Sequence, residues 1–305
     1  SNKYKAFGLI LNSKLIHFPE LLNASDNLKS NVVINEKYEQ WPKIPDSKIN
    51  TPFLRIIEND LRISIEGIGD FRVHNGNEIT FKKDKIIQDP NDLSTFILGS
   101  VLGALLIQRN FFLLHGNALE KDGKAIVCLG GSGYGKSTLA YVLSKYGWRL
   151  IADDMVAITN DGLVLPGIPR IKLWYDAIKE SDLDINKFNS VREGLNKYIL
   201  TKESVNCFYE SVQLEGIYRI GNFRTKEISL YQDSGSKIES EKLKTLILRN
   251  NIFKPRFVRG LGKESMYFQK IINLVKNYEF YSMQIPYGIR KLDELVKLKG
   301  LSGLL

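Results

Sequence analysis

Two clusters of residues in this chain have the types and spacing to do chemistry. Gly130, Gly131, Ser132, Gly133, Tyr134, Gly135, Lys136 and Ser137 fit the spacing G-x-x-x-x-G-K-[ST], with Thr138 next. Farther on, Asp153 and Asp154 stand side by side. Glycines in such a loop can take positive φ and turn backbone N–H groups inward around phosphate oxygens. A helix that starts there adds its partial positive charge. Lys136 offers a mobile ammonium to the outer phosphates, and the Ser137 hydroxyl can ligate Mg²⁺. A carboxylate at the C-terminal end of the neighbouring strand can hold the same ion, usually through water. The bland alternative is a glycine-rich turn that happens to contain Lys-Ser.

The flanking residues count against that alternative. Ala125–Leu129 is a short apolar run of the kind found in a strand buried on both faces. After the loop, Leu139, Val142, Leu143 and Tyr146 recur at helical spacing, and Gly147 ends the helix. Leu150, Ile151 and Ala152 then form a second buried strand that delivers the two aspartates. Strand, glycine loop, helix, strand and carboxylates in that order make a phosphate site.

One histidine belongs with this group. His115 sits in the apolar run Phe111–Leu119, which Lys121-Asp-Gly-Lys124 turns back into the loop strand. The expectation is a strand that carries His115, hairpin-paired with the loop strand; a satisfied core histidine is the other reading. His17 and His74 are isolated, and a surface or core role suits each.

The rest of the chain reads as scaffold. Over residues 1 to 90, short alternating runs (Phe7–Leu11, Val32–Ile34, Leu61–Ile65, Phe71–Val73, Ile79–Phe81) are separated by turns such as Gly67–Asp70 and Asn75-Gly-Asn77. This predicts a β-rich N-terminal domain built of hairpins. Residues 91–305 are expected to form the catalytic domain. Asp89-Pro-Asn-Asp92 looks like a helix cap, followed by a helix over Leu93–Arg109. Its most apolar part, Phe96–Ile107, is too short for a membrane span. Met155–Ile158, Leu163–Leu165, Gln213–Ile220 and Tyr281–Ile285 read as strands, and Glu239–Arg249, Glu264–Asn277 and Ile289–Leu298 as helices. Glu180–Ser204 is polar and irregular, a lid or a mobile connection.

Composition sets broad bounds. The 305 residues are 43% hydrophobic and 25% charged, as in a soluble globular protein. The formal charge is +9, and between Glu241 and Lys299 thirteen Lys and Arg face five Asp and Glu. A basic surface suits nucleotide phosphates, an acidic peptide or nucleic acid equally well. Two cysteines, Cys128 and Cys207, do not make a disulfide framework, so a cytoplasmic setting is expected. No signal peptide is visible at Ser1-Asn-Lys-Tyr4.

The stretch from Leu113 to Ile158, LLHGNALEKDGKAIVCLGGSGYGKSTLAYVLSKYGWRLIADDMVAI, resembles the catalytic domain of HPr kinase/phosphorylase and its relatives. The shared features are a histidine before the loop strand, the phosphate loop, and an Ala-Asp-Asp end to the next strand. The likeness extends more loosely through Pro166-Gly-Ile-Pro-Arg-Ile-Lys-Leu-Trp174, and with the β-rich N-terminal part it looks closer to the relatives that phosphorylate a lasso peptide precursor at a C-terminal serine. It implies an α/β fold, with a P-loop kinase core of the phosphoenolpyruvate-carboxykinase/HPr-kinase type. It also implies ATP as donor, Mg²⁺ as cofactor, and a serine hydroxyl on a peptide or small protein as acceptor, without nucleic acid or membrane partners. Carried over residue by residue, Gly130 to Lys136 hold phosphates and Ser137 and Asp154 belong to the metal site. Asp153 takes the acceptor's proton, with His115 beside it. Lys197, Arg249 and Arg256 are further candidates to touch phosphate or acceptor, and Glu215 is an acidic candidate with structural neighbours.

The chain also departs from that family. The Arg-Gly-Leu-Gly signature expected soon after the aspartates is absent there; Arg259-Gly-Leu-Gly262 lies far downstream. The N-terminal part has no counterpart in the HPr kinase N-terminal domain. These departures leave HPr as substrate in question. A regulatory HPr kinase, a kinase of a small-molecule hydroxyl and a non-catalytic nucleotide sensor therefore stand as alternatives.

Overall fold

In the computed structural model, residues 2–44, 47–87, 89–192, 194–223 and 235–300 are described. The chain divides into two compact units, 1–113 with 253–268, and 114–252 with 269–305.

The first unit is built on a sheet of nine strands. They are β1 (Asn2–Ala6), β2 (Leu9–Ser13), β3 (Leu22–Asn23), β4 (Val32–Glu36), β5 (Ile49–Asn50), β6 (Leu54–Ile57), β7 (Asp60–Ile65), β8 (Gly69–His74) and β9 (Glu78–Lys83). Their order is β3-β1-β2-β4-β9-β8-β7-β6-β5. Hairpins dominate because the turns suit them: in the three-residue connection Asn75–Asn77, closed by the Asn77 N–H on the His74 carbonyl at 3.2 Å, Asn75 and Gly76 both take positive φ (51° and 65°). Phe7 and Gly8 do the same at 53° and 72°. The run Phe7–Leu11, expected as one strand, is therefore a turn followed by β2.

A helix follows in the same unit: α1 (Pro90–Phe96), a π-helical turn (Ile97–Val101) and α2 (Leu102–Gln108). Asp89 caps it by accepting from the Asn91 N–H at 2.8 Å. Residues Asn91–Gln108 have the length and apolarity of a membrane span, but 67% of that stretch is buried inside the protein. Gln108 fixes the helix end to the β8–β9 turn: the Gly76 N–H donates to its Oε1 and its Nε2 donates to the Val73 carbonyl. The helix that the sequence reading attached to residues 91–305 thus lies with the β-rich unit. The helix α6 (Pro255–Gly260) and the Arg259–Gly262 segment also lie in this unit.

The second unit follows β10 (Phe112–Leu114). Its strands are β11 (Gly116–Lys121), β12 (Lys124–Leu129), β13 (Arg149–Asp153), β14 (Val156–Ile158), β15 (Leu163–Val164), β16 (Arg170–Trp174), β17 (Asn189–Ser190), β18 (Lys197–Thr201), β19 (Val212–Phe223) and β20 (Glu279–Pro286). Its helices are α3 (Lys136–Ser144), α4 (Tyr175–Glu180), α5 (Glu241–Asn250) and α8 (Ile289–Lys299); α7 (Glu264–Asn277) straddles the division. The main sheet runs β14-β15-β19-β12-β11-β13, with β20 also against β19. β12, β19 and β20 are parallel, and β11 is antiparallel to both its neighbours. Leu139, Val142 and Leu143 of α3, Leu292 and Val296 of α8, and Ile171 and Leu173 of β16 form one buried cluster with Ile126, Cys128 and Ile220 from the sheet. Each fully buried aliphatic side chain contributes about 1.5–3 kcal/mol.

Two expectations change here. β13 is not the immediate neighbour of the loop strand: β11 lies between them. The stretch 180–204, apart from Glu193, which lies outside the described residues, is more ordered than its polarity suggests. β17 and β18 pair with β16 into a small sheet, and Leu183, Ile185 and Phe188 pack on the core.

Candidate active site

The phosphate loop leaves β12 at Leu129 and enters α3 at Lys136. Gly133 and Gly135 sit at φ 80° and 84°, where other residues are strained. Gly135 also abuts β20, since a Cβ there would meet the Ile285 Cδ1 at 2.9 Å. Lys136 turns back on the loop: its ammonium donates to the Gly130 carbonyl at 2.8 Å and the Gly131 carbonyl at 3.1 Å. Burial depresses its pKa, against the pull of Asp153 and Asp154.

The loop and the aspartates meet through β11. Asn117 on β11 is in register with Asp153, and its side-chain amide donates to the Lys136 carbonyl at 2.5 Å. The Ser137 hydroxyl then reaches Asp153, donating at 3.0 Å to Oδ1 and 3.1 Å to Oδ2. The Lys172 backbone N–H also donates to Asp153 Oδ2, at 3.2 Å.

Asp154 faces other partners. Its φ of 72° is left-handed, and its carbonyl accepts from His115 Nδ1 at 3.0 Å. Its carboxylate receives the Lys172 ammonium at 2.5 Å and stands 3.7 Å from His115 Nδ1. These surroundings divide the pair. Burial, and then the neighbouring Asp154 charge, push Asp153 up to about 6. Burial also disfavours the Asp154 charge, but the Lys172 ammonium outweighs it and holds that carboxyl below the ordinary range. Burial, followed by the Lys136 charge, lowers the His115 pKa. A neutral His115 with its proton on Nδ1 makes the bond to Asp154 and leaves Nε2 as an acceptor.

These groups open onto a cleft of about 440 Å³. Ser132, Gly133, Gly135, Lys136, Ser137, Thr138, His115, Asp153 and Asp154 line it, as does Lys197. Gly130, Gly131 and Tyr134 are not among the lining residues. The Gly130 N–H donates to Asn251, and the Tyr134 ring packs close over Gly131, 3.1 Å from where a Cβ there would stand. Arg249 and Arg256 do not line the cleft either, and Arg256 is in the other unit. Glu215 is spent on an exposed ion pair with Lys124 at 3.0 Å. His115 itself occupies the corner just before β11 rather than a paired strand position.

Sequence reasoning missed Lys172, Trp174 and Asn251. For the first two a signal existed: Arg170, Lys172 and Trp174 alternate along β16 and so share one face. Asn251 carried none. The oxygen donors fit a hard cation such as Mg²⁺, which keeps waters and takes phosphate oxygens rather than a full protein cage. Among the described residues no group of three or more His, Cys, Asp or Glu is placed to hold a metal.

No family model matches the chain. Curated relatives named HPr kinase/phosphorylase do match. The protein of Lactobacillus gasseri is 35% identical over 94 residues, 30% of each chain. That of Caldanaerobacter subterraneus subsp. tengcongensis is 47% identical over 49 residues, 16% of each. That of Clostridium botulinum is 43% identical over 61 residues, 20% of each. The matches thus span less than a third of these relatives' length. Among solved structures, the Hpr(Ser) kinase/phosphatase from Coxiella burnetii is similar at 11% identity and a TM-score of 0.30, covering 62% of this chain and 96% of that one.

Proposed function

We propose that this α/β chain is an HPr-kinase-like enzyme that transfers the γ-phosphoryl group of ATP to a serine hydroxyl on a peptide or small protein. The observation that carries the reading is the convergence of Lys136, Ser137, Asp153 and Asp154 on one cleft. In the reaction, the acceptor oxygen forms a bond to phosphorus while the bond to the bridging β–γ oxygen breaks and ADP leaves. Lys136 exchanges its loop carbonyls for the outer phosphates. Asp153 takes the acceptor's proton, a role suited to a buried carboxylate with a pKa of about 6. His115 braces the Asp154 backbone. Ser137 and Asp154 would hold Mg²⁺, which neutralises phosphate charge when bound. We propose further that the protein acts in the cytoplasm and that its acceptor is a lasso peptide precursor.

A second assignment has a specific observation in its favour. Ser137 bonds Asp153 and not Asp154, so Asp153 could serve the metal with Ser137 and Asp154 the proton. Asp153→Asn and Asp154→Asn separate the two: the base variant keeps Mg²⁺-dependent nucleotide affinity, and the metal variant loses it.

The test is mass spectrometry of a lasso precursor and of HPr, each incubated with enzyme, ATP and Mg²⁺. One added phosphate on a precursor serine is the expected result. Label on HPr alone would move the protein to the regulatory alternative. Label on neither, with nucleotide bound, would overturn the peptide-kinase reading.

A further inference from the structure

Asn251 lies just past the C-terminal end of α5, far in sequence from the loop and from His115, and contacts both. Its Oδ1 accepts from the Gly130 N–H at 3.2 Å. Its Nδ2 donates to the Ile247 carbonyl at 2.8 Å, which fixes which end of the amide faces Gly130. Its backbone carbonyl accepts from the His115 N–H at 2.7 Å. Gly130 is in turn the residue whose carbonyl takes the Lys136 ammonium. It is held closely on the other side as well, because a Cβ there would meet the Ile220 carbonyl at 2.8 Å.

We propose that Asn251 is a positioning residue that sets the first peptide of the phosphate loop and the His115 backbone from a single helix end. This inference rests on the reading of the loop as a phosphate site. The physical case is that the loop begins with a glycine, which resists rotation least of all residues. Without that bond the Leu129–Gly130 peptide turns more freely about the glycine's own dihedrals, and the Gly130 carbonyl on the following peptide, the resting place of Lys136, loses its alignment. The Asn251 amide restrains the peptide's N–H side, and Ile247 restrains the amide. The same residue's carbonyl holds His115, so loop and histidine are registered to one another through α5 rather than through the sheet alone.

The test compares wild type with Asn251→Leu, which keeps the size and removes both amide contacts, and with Asn251→Asp, which keeps an acceptor for Gly130. Backbone amide exchange followed by NMR reads the contacts, and MgADP titration reads the consequence. Asn251→Leu is expected to speed exchange at Gly130 and to leave His115 protected, since that bond goes to a backbone carbonyl. It is also expected to weaken MgADP binding by about three- to tenfold, the value of one hydrogen bond. Asn251→Asp is expected to keep Gly130 protected. Unchanged exchange and unchanged affinity in Asn251→Leu would overturn the proposal, as would loss of Gly130 protection in Asn251→Asp. A wild type that binds no MgADP would instead overturn the phosphate-site reading itself.

Discussion

Two aspartates, one in each unit, end up almost equally buried and quite differently used. Asp60 is 5% exposed and Asp153 is 8% exposed. Asp60 starts β7 and is clamped by two guanidinium groups: Arg62 at 3.0 and 3.1 Å, Arg72 at 2.6 and 2.8 Å. Burial alone would raise its pKa, but the two arginines outweigh it and hold the carboxyl below its ordinary value. Among the described residues, Asp153 has a hydroxyl and a backbone N–H for partners and no cation in ion-pair contact. Its nearest charged neighbour in sequence is another carboxylate, and it is pushed up to about 6. A buried acid with its charge fully matched is structural. One left short of positive charge is ready to receive a proton or a cation.

The comparison can be broken most severely at Asp153. Asp153→Asn is expected to lower phosphoryl transfer about 100-fold or more while MgADP still binds, as measured by single-turnover kinetics and titration. Wild-type transfer would remove Asp153 from the chemistry. Asp60→Ala is expected to act on stability alone. It strands two guanidinium groups that are only 13% and 11% exposed, a loss of about 3 kcal/mol in chemical denaturation, with transfer per folded molecule unchanged.

Lys172→Met should have an intermediate effect. Without the ammonium, the Asp154 carboxyl rises toward its ordinary pKa and its orientation loosens. A loss of about tenfold in transfer is expected, the lower end of what one charged hydrogen bond contributes. Equal rates would make Lys172 a bystander.

The pH dependence is the mildest test and gives the sign. Asp153 must be ionised to accept a proton, so transfer should climb as pH rises through about 6 and level off above it. For stability the two acids oppose one another. The Asp60 pKa is lowered on folding, so its contribution is present above the ordinary carboxylate range and is lost as pH falls. The Asp153 pKa is raised, so its contribution is present in acid and is lost as pH rises through about 6. Denaturation curves of Asp60→Asn and Asp153→Asn should therefore flatten opposite flanks of the pH profile.

The sequence makes local features legible and leaves distant ones hidden. The loop, the Asp122-Gly123 turn of the β11–β12 hairpin and the helix with its leucines follow from neighbouring residues, and the structure has all of them. The turn at Phe7-Gly8 was missed because a phenylalanine at positive φ runs against its usual preference. The insertion of β11 between β12 and β13 was missed because strand order is set by pairing across the whole unit. Lys172 and Asn251 reach the site only through β16 and α5, whose positions no local pattern encodes. Hydrophobic residues in 180–204 were too sparse to signal a core face, yet Leu183, Ile185 and Phe188 suffice to hold that segment down.

The resting posture of Lys136 has a consequence for what the loop admits. Its ammonium already has two carbonyl acceptors inside the loop. An incoming anion has to compete with them, and a small singly charged one has little to offer in exchange. A ligand that brings several phosphates in a row can displace both carbonyls and engage the loop amides as well. If the loop binds phosphates as proposed, the lysine's own bonds would set a threshold against simple anions without any steric gate.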